Sequence, residues 1–188
     1  MMIMKRMYNL YRIFLFLWIA FVVCIWGIYL YAYISPKIVL NSANRIYLYD
    51  NKEELVFESN NNNDWVALKD ISEYVINATI ISEDKSFYDH SGFDYLRIGK
   101  AMFNNIKSGT IVEGASTISQ QYVKNLYLDF NQTWKRKIDE AFLTIKLELR
   151  YSKDEILEGY LNTINYGQGN YGIASASKYY FNKNVSDL

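Results

Sequence analysis

The chain is poor in the residues that crosslink, kink or switch a fold: among 188 residues there is one cysteine, Cys24, one proline, Pro36, and one histidine, His90. A lone cysteine excludes an internal disulfide. One Cys with one His cannot supply the four ligands of a structural zinc site. Net charge is lacking as well, with 20 Lys and Arg against 20 Asp and Glu. That balance gives no bulk field to hold a nucleic acid. The length leaves room for one domain and a short extra element, not for two catalytic domains.

What the chain has in quantity is apolar and aromatic: 17% of residues are Phe, Trp or Tyr, with 18 tyrosines. No charged residue occurs from Ile13 to Pro36. About 20 apolar residues cross a bilayer as a helix, so 13–36 is predicted to be a transmembrane helix. A cleaved signal peptide has a shorter apolar stretch and a small-residue cleavage site. Here bulky "YLYAYISPK" follows, which favours an anchor. Lys5, Arg6 and Arg12 precede the span and only Lys37 follows closely. The positive-inside bias then makes 1–12 a cytoplasmic tail and puts everything after Lys37 outside, with Tyr29, Tyr31 and Tyr33 at the far interface.

Residues 37–64 read as a linker with a short β-hairpin, "RIYLYD" and "ELVFES" flanking "NKE", closed by the polar run "SNNNND". From 65 to 188 the period is helical. In "DISEYVINATIIS", Asp70 with Glu73 three residues on has capping-box spacing, with Ile71, Val75, Ala78 and Ile81 as its apolar positions. A second helix is predicted from Asp94 to Gly109, where a cation and a glycine close it. "GASTISQQYVKNLYL", "TWKRKIDEAFLTIKLELR", "SKDEILEGYLNTINYG" and "GIASASKYYF" follow as helical runs, and Ser152 with Glu155 again matches a capping box. In the longest run, Ile138, Phe142, Ile145 and Leu149 form the expected buried stripe. The sequons at Asn77, Asn131 and Asn184 carry no weight in so Asn-rich a chain.

Chemistry-bearing residues concentrate in a few places. "EDKSFYDHSGFD" crowds Glu83, Asp84, Lys85, Phe87, Asp89 and His90 together. Arg136 and Lys137 lie four and three residues before Glu140, so a helix clusters them on one side. "GAST" places two hydroxyls at a helix N-terminus, where N–H groups and the dipole favour an anion. With Lys124, Arg136 and Lys137 it forms an expected phosphate cradle.

These segments, with "KDEILEGYLNTINYG" and "GNYGIASASKYYF", stand in the order and spacing of the peptidoglycan glycosyltransferases, which the chain resembles from Ile46 to Leu188. That family comprises the family 51 transglycosylases, monofunctional or joined to penicillin-binding domains. The resemblance implies a mainly α, lysozyme-like helical domain with a small β-hairpin, on the outer face of the cytoplasmic membrane. It implies lipid II as substrate, its C1 transferred with inversion to the 4-hydroxyl of another lipid II and undecaprenyl pyrophosphate released. Glu83 matches the family's general base and Glu140 its second carboxylate. Lys124, Arg136 and Lys137 match the cations that handle phosphate. Ser116, Thr117, Gln120 and Gln121 match the polar wall of the donor site. Asp84 is expected to orient Glu83, and Phe87 to shape the loop as core anchor or lid, while His90 reads as a structural hydrogen-bonding residue. No cofactor is required, although Mg²⁺ or Mn²⁺ is compatible with a pyrophosphate. Expected partners are the nascent glycan, the membrane and other cell-wall proteins.

The chemistry fits this division. An acceptor hydroxyl needs a carboxylate to take its proton. A departing pyrophosphate needs cations rather than a general acid. Arg136 and Lys137 beside Glu140 favour its charged form, a poor proton donor. The site departs from the family in two places, Gln132 where an Arg is common and Ser119 for Thr. The family's domain also normally continues past the final "SDL", so the chain reads as C-terminally incomplete. Three rivals remain at this stage. A lytic glycosidase would use the same two carboxylates, and an inactive membrane-anchored scaffold would keep only the fold. A penicillin-sensitive transpeptidase would use Ser82 and Lys85 or Ser175 and Lys178 with the Lys107 "KSG", but the chain is too small for one.

Overall fold

A computed structural model describes residues 2–40, 47–49, 55–58, 65–112, 114–128 and 133–188. Contacts divide it into two compact units, Met1–Lys37 and Ile38–Leu188. The first is a single helix, α1 (Met2–Ile34). Its stretch Arg6–Ile34 has a mean hydropathy of 2.6, long and apolar enough to cross a membrane. The helix stops two residues before Pro36, whose ring disfavours helical backbone at the residue before it. At the other end it runs on through the segment read as a tail, with Arg6 and Arg12 on the same helix as the apolar run.

In the second unit, β1 (Tyr47–Tyr49) pairs antiparallel with β2 (Leu55–Glu58) in the expected hairpin. Tyr47 opposes Glu58 and Leu48 opposes Phe57, but Tyr49 opposes Leu55, so the register skips Val56. The connecting "NKE", the "SNNNND" run, Asn131 and Gln132 lie outside the described residues.

Six helices build the rest: α2 (Glu73–Glu83), α3 (Tyr95–Ser108), α4 (Ile118–Tyr127), α5 (Trp134–Glu148), α6 (Lys153–Thr163) and α7 (Ile173–Phe181). Short 3₁₀ turns occupy Leu68–Asp70 and Val185–Asp187. The fold is thus mainly α with one small hairpin, consistent with a lysozyme-like transglycosylase domain. Helix α4 is the centre, packed on α5 and α6. Its Ile118, Tyr122 and Val123 are fully buried with Leu147 of α5 and Ile156, Leu157 and Leu161 of α6. The phenol end of Tyr122 packs against Gly159: a Cβ there would come within 2.1 Å of the tyrosine hydroxyl oxygen, so only glycine allows this approach.

Local capping set most helix ends as expected. Asp94 caps α3 by accepting from Arg97 N–H, and Gly109 ends it at φ 69°. Ser152 and Glu155 form a complete capping box on α6. The start of α2 differs: Ser72, not Asp70, is its N-cap, accepting from Tyr74 N–H. Asp70 closes the preceding 3₁₀ turn instead. Ser72 is held there by a second anchor, since its hydroxyl donates to the Leu188 carbonyl and its N–H to Val185. Ile71 and Val75 join the core as expected, and the inward face of α2 continues through Ile76, Thr79, Ile80 and Glu83, leaving Ala78 and Ile81 exposed.

The buried face of α5 is also not the one its apolar period indicates. Ile138 is 68% exposed and Leu149 40%, whereas Glu140, Thr144 and Leu147 are buried. Phe142 and Ile145 of the expected stripe are half-buried; Glu140 sits against α4, while Ile138 and Leu149 are exposed, as are Trp134 on the same helix and Met102, Ile106 and Ile111 from α3 and the stretch after it. Between these two helices lies a cavity of 820 Å³ lined mostly by apolar side chains, with Lys137 at its edge.

Candidate active site

Glu83 is the last residue of α2, half-buried, and it forms part of the walls of two cavities. One, of 640 Å³, is lined by Thr79, Gln121, Lys124, Asn125, Tyr160 and Tyr166 among others. The second, of 370 Å³, lies on the other side of Ser82 and Glu83 and includes Lys85, Asp94, Arg97 and Lys100. Thr79 and Glu83 share the first cavity because four residues of helix bring side chains to the same face. Gln121 Nε2 donates to Glu83 Oε2 at 2.9 Å. Arg97 Nη1 donates to the Glu83 carbonyl, fixing the backbone where α2 ends.

Asp84, the next residue, has a different setting. Its side chain is fully buried, and its carboxylate accepts from Ile118 N–H at 3.0 Å and from His90 Nε2. Gly92 N–H donates to His90 Nδ1, which leaves the ring proton on Nε2, facing the carboxylate. His90 is therefore the structural hydrogen-bonding residue that was expected. Asp84 holds the loop to the first turn of α4, where the helix dipole favours a negative charge.

This arrangement corrects the phosphate cradle expected at "GAST". The N-terminus of α4 already holds an anion, and it is Asp84. A capping box engages two more N–H groups: Thr117 Oγ1 accepts from Gln120 N–H, and Gln120 Oε1 accepts from Thr117 N–H. Thr117 also donates to the Gly92 carbonyl at 2.7 Å. Thr117 and Gln120 are thus buried with internal partners, and Ser116 sits half-buried just before the cap. Phe87 is fully buried, with Lys153 Nζ 4.5 Å above its ring. Of the two roles open to it, it fills that of core anchor.

Glu140 is 2% exposed and wholly engaged. Arg136 Nη1 donates to its Oε2 at 2.8 Å, Lys137 Nζ to its Oε1, and Gln120 Nε2 reaches Oε1 at 3.4 Å. Adjacent glutamines of α4 therefore touch the two carboxylates, Gln121 on Glu83 and Gln120 on Glu140. Arg136 Nε is buried with no hydrogen-bond partner. Among the described residues, no group of three His, Cys, Asp or Glu side chains could hold a metal ion.

Sequence reasoning missed several supporting contacts. Glu158 on α6 accepts from Trp65 Nε1 at 2.7 Å and from Leu68 N–H at 2.8 Å, while Asn162 exchanges hydrogen bonds with Val66 N–H and C=O. The i, i+4 spacing of these two was visible, but nothing in it named a distant segment as partner. Glu148 ties Ser119 to Lys153 behind the Phe87 ring. Tyr151, Tyr127 and Tyr122 donate to the consecutive carbonyls of Ile38, Val39 and Leu40. Tyr160, buried on α6, donates to Gln121 Oε1 at 3.1 Å.

Residues 50–188 match the family model described as Transglycosylase. The chain is 57% identical over 124 residues to penicillin-binding protein 2D of Bacillus subtilis (strain 168), covering 66% of this chain and 18% of that protein. It is 42% identical over 154 residues to penicillin-binding protein 1F of the same organism, covering 82% of this chain and 21% of that one. With penicillin-binding protein 1A of Neisseria lactamica the identity is 48% over 125 residues, covering 66% of this chain and 16% of the relative. The chain thus spans about a fifth of the length of the curated relatives it matches. A family match over most of the chain, joined to a mainly helical fold that sets an acidic side chain between two cation-bearing cavities, means that the chain belongs to the transglycosylase family of peptidoglycan glycosyltransferase domains.

Proposed function

We propose that the chain polymerises lipid II into glycan strands, with Glu83 as the base that takes the proton of the acceptor 4-hydroxyl. The observation that carries this reading is the position of Glu83 in the wall of two cavities, one with a single cation and the other with three. A transferase acting between two lipid-linked sugars needs a place for each, and each substrate brings a pyrophosphate. Lys124 lies in the larger cavity, while Lys85, Arg97 and Lys100 lie in the smaller. The resemblance assigns Gln121 to the donor wall and Lys124 to the cations that handle phosphate, so we place the donor in the larger cavity, which holds both, and the acceptor in the smaller.

In this reading Gln121 holds the Glu83 carboxylate within reach of the acceptor oxygen, and attack inverts the donor C1. The departing pyrophosphate is met by positive charge already in place, the largest electrostatic contribution such a site can make. Glu140 works through its neighbours: engaged by Arg136 and Lys137, it fixes the direction in which both cations point. The lipid tail calls for an apolar surface beside the cations, and the α3–α5 cavity with Lys137 at its edge supplies one. A divalent ion, Mg²⁺ or Mn²⁺, would ride on the pyrophosphate oxygens, since the described residues form no protein cage for it.

The charge bias around α1 supports an N-terminus inside and the catalytic unit outside, where lipid II, the growing glycan and other cell-wall proteins would meet it. Incubation of the purified full chain with labelled lipid II tests the activity. Wild type is expected to form polymer, and Glu83→Gln to lose about 10²–10⁴-fold of the rate while staying folded. A folded wild type that forms no polymer would sink the reading in favour of an anchored scaffold. Release of soluble sugars from finished glycan would instead establish a lytic glycosidase.

A further inference from the structure

We propose that Tyr160 is a positioning residue for the Glu83 base, acting through Gln121 by fixing which way its amide faces. This inference rests on the transferase reading of the same site. The geometry is a chain of three side chains from three helices: Tyr160 Oη donates to Gln121 Oε1 at 3.1 Å, and Gln121 Nε2 donates to Glu83 Oε2 at 2.9 Å.

An ionised carboxylate only accepts hydrogen bonds, so the NH₂ end of Gln121 must face Glu83. The carbonyl end then faces Tyr160, and the phenol must donate to it. Only one orientation of each group satisfies the whole chain. A flipped amide would set a carbonyl oxygen against the carboxylate and repel it. The phenol is well suited to this task because it keeps its proton: burial, then the charges of Glu83 and Asp84, push its ionisation above the usual tyrosine range. Tyr160 borders the larger cavity but is 2% exposed, and its hydroxyl is engaged with Gln121, so its effect on the reaction is expected to pass through that amide.

The packing of α6 on α4 makes the arrangement stiff. Tyr160 belongs to the same buried cluster as Leu157, Leu161 and Tyr122, and its neighbour Gly159 lets α6 approach closely. The phenol oxygen is thereby fixed by the core, while Gln121 is half-buried at the cavity wall. A base held in this way takes a proton without first ordering itself, which is where preorganised sites gain rate.

The test is a double-mutant cycle on the full chain in detergent micelles, combining Tyr160→Phe with Gln121→Met and read in two ways. The first reading is steady-state polymerisation of lipid II. Tyr160→Phe is expected to lower kcat about fivefold to tenfold with KM unchanged, the value of one neutral hydrogen bond, and to have no effect once Gln121 is Met. The second reading needs no activity: the ¹³C resonance of the Glu83 carboxyl carbon. It is expected to move on Tyr160→Phe in the wild-type background and to stay put in the Gln121→Met background.

Equal effects of Tyr160→Phe in both backgrounds, or a change confined to KM, would overturn the proposal and leave Tyr160 as ordinary core. The two readings also separate this inference from the one beneath it. Should wild type make no polymer while the Glu83 resonance still answers to Tyr160 only through Gln121, the transferase reading fails and the linkage stands. Should polymer form and the resonance ignore Tyr160, the linkage fails and the transferase reading stands.

Discussion

Glu83 and Glu140 are the same side chain in opposite settings. Glu83 ends a helix, is half-buried in the walls of two cavities, and its carboxylate is held by the neutral amide of Gln121. Glu140 is sealed in a helix–helix contact with Arg136, Lys137 and Gln120 on its oxygens. The first can give a lone pair to an incoming hydroxyl. The second has its oxygens engaged by two cations and an amide, so in the proposed reaction its part would be to place those cations. The resemblance already separates them as base and second carboxylate; their surroundings give that separation a physical form.

The sharpest way to break this comparison is to neutralise each in turn. Glu83→Gln is expected to remove polymerisation almost entirely while leaving the melting temperature close to wild type, because an amide fits its cavity. Glu140→Gln is expected to lower both, costing about 2 kcal/mol of stability, since it removes a buried charge that two cations are built around. Chemical denaturation beside the lipid II assay separates the two. If both variants lose activity and neither loses stability, the division of labour is wrong.

Asp84→Asn extends the same contrast to the neighbouring carboxylate. Its loss should cost about 2–3 kcal/mol through the bonds to Ile118 N–H and His90, with any fall in activity tracking the fraction unfolded. A stable Asp84→Asn that is inactive would instead put Asp84 in the chemistry. Gly159→Ala tests the scaffold below both sites. A Cβ only 2.1 Å from the Tyr122 hydroxyl oxygen must displace that ring, for an expected loss of about 1–3 kcal/mol by denaturant titration.

The smallest effect expected lies in alkali. Burial, then the hydrogen bond and charge of Asp154, push Tyr88 up to about 12. A folded value above the ordinary 10 means the stability it contributes is complete below pH 10 and lost between pH 10 and about 12. Tyrosinate absorbance should show this late step, and Asp154→Asn should bring it to lower pH.

The legible parts of the fold were those settled within a few residues. The ends of α3 and α6 follow from Asp94, Gly109 and the Ser152–Glu155 box, because a cap is satisfied by N–H groups of its own first turn. The clustering of Arg136 and Lys137 on Glu140 was equally visible from helical spacing. Three things were not. The start of α2 moved to Ser72 because that residue also holds Leu188 and Val185, over a hundred positions away. The apolar period of α5 marked Ile138 and Leu149 as core, yet the helix turns Glu140, Thr144 and Leu147 inward and leaves those two exposed. The hydroxyls and N–H groups at the start of α4 looked free to take a phosphate, but Asp84 reaches them from 34 residues away.

By itself, then, the sequence determined the apolar span, the run of helices, the family motifs and the identity of the groups able to move a proton or meet a phosphate. These depend on residue type and short-range spacing, which the chain carries locally. Only the tertiary structure decided that Glu83 stands in the walls of two cavities while Glu140 is buried against α4, and that Tyr160 reaches Glu83 through Gln121. Such assignments come from which side chains of distant segments end up in contact, and from how much water the packing leaves beside each.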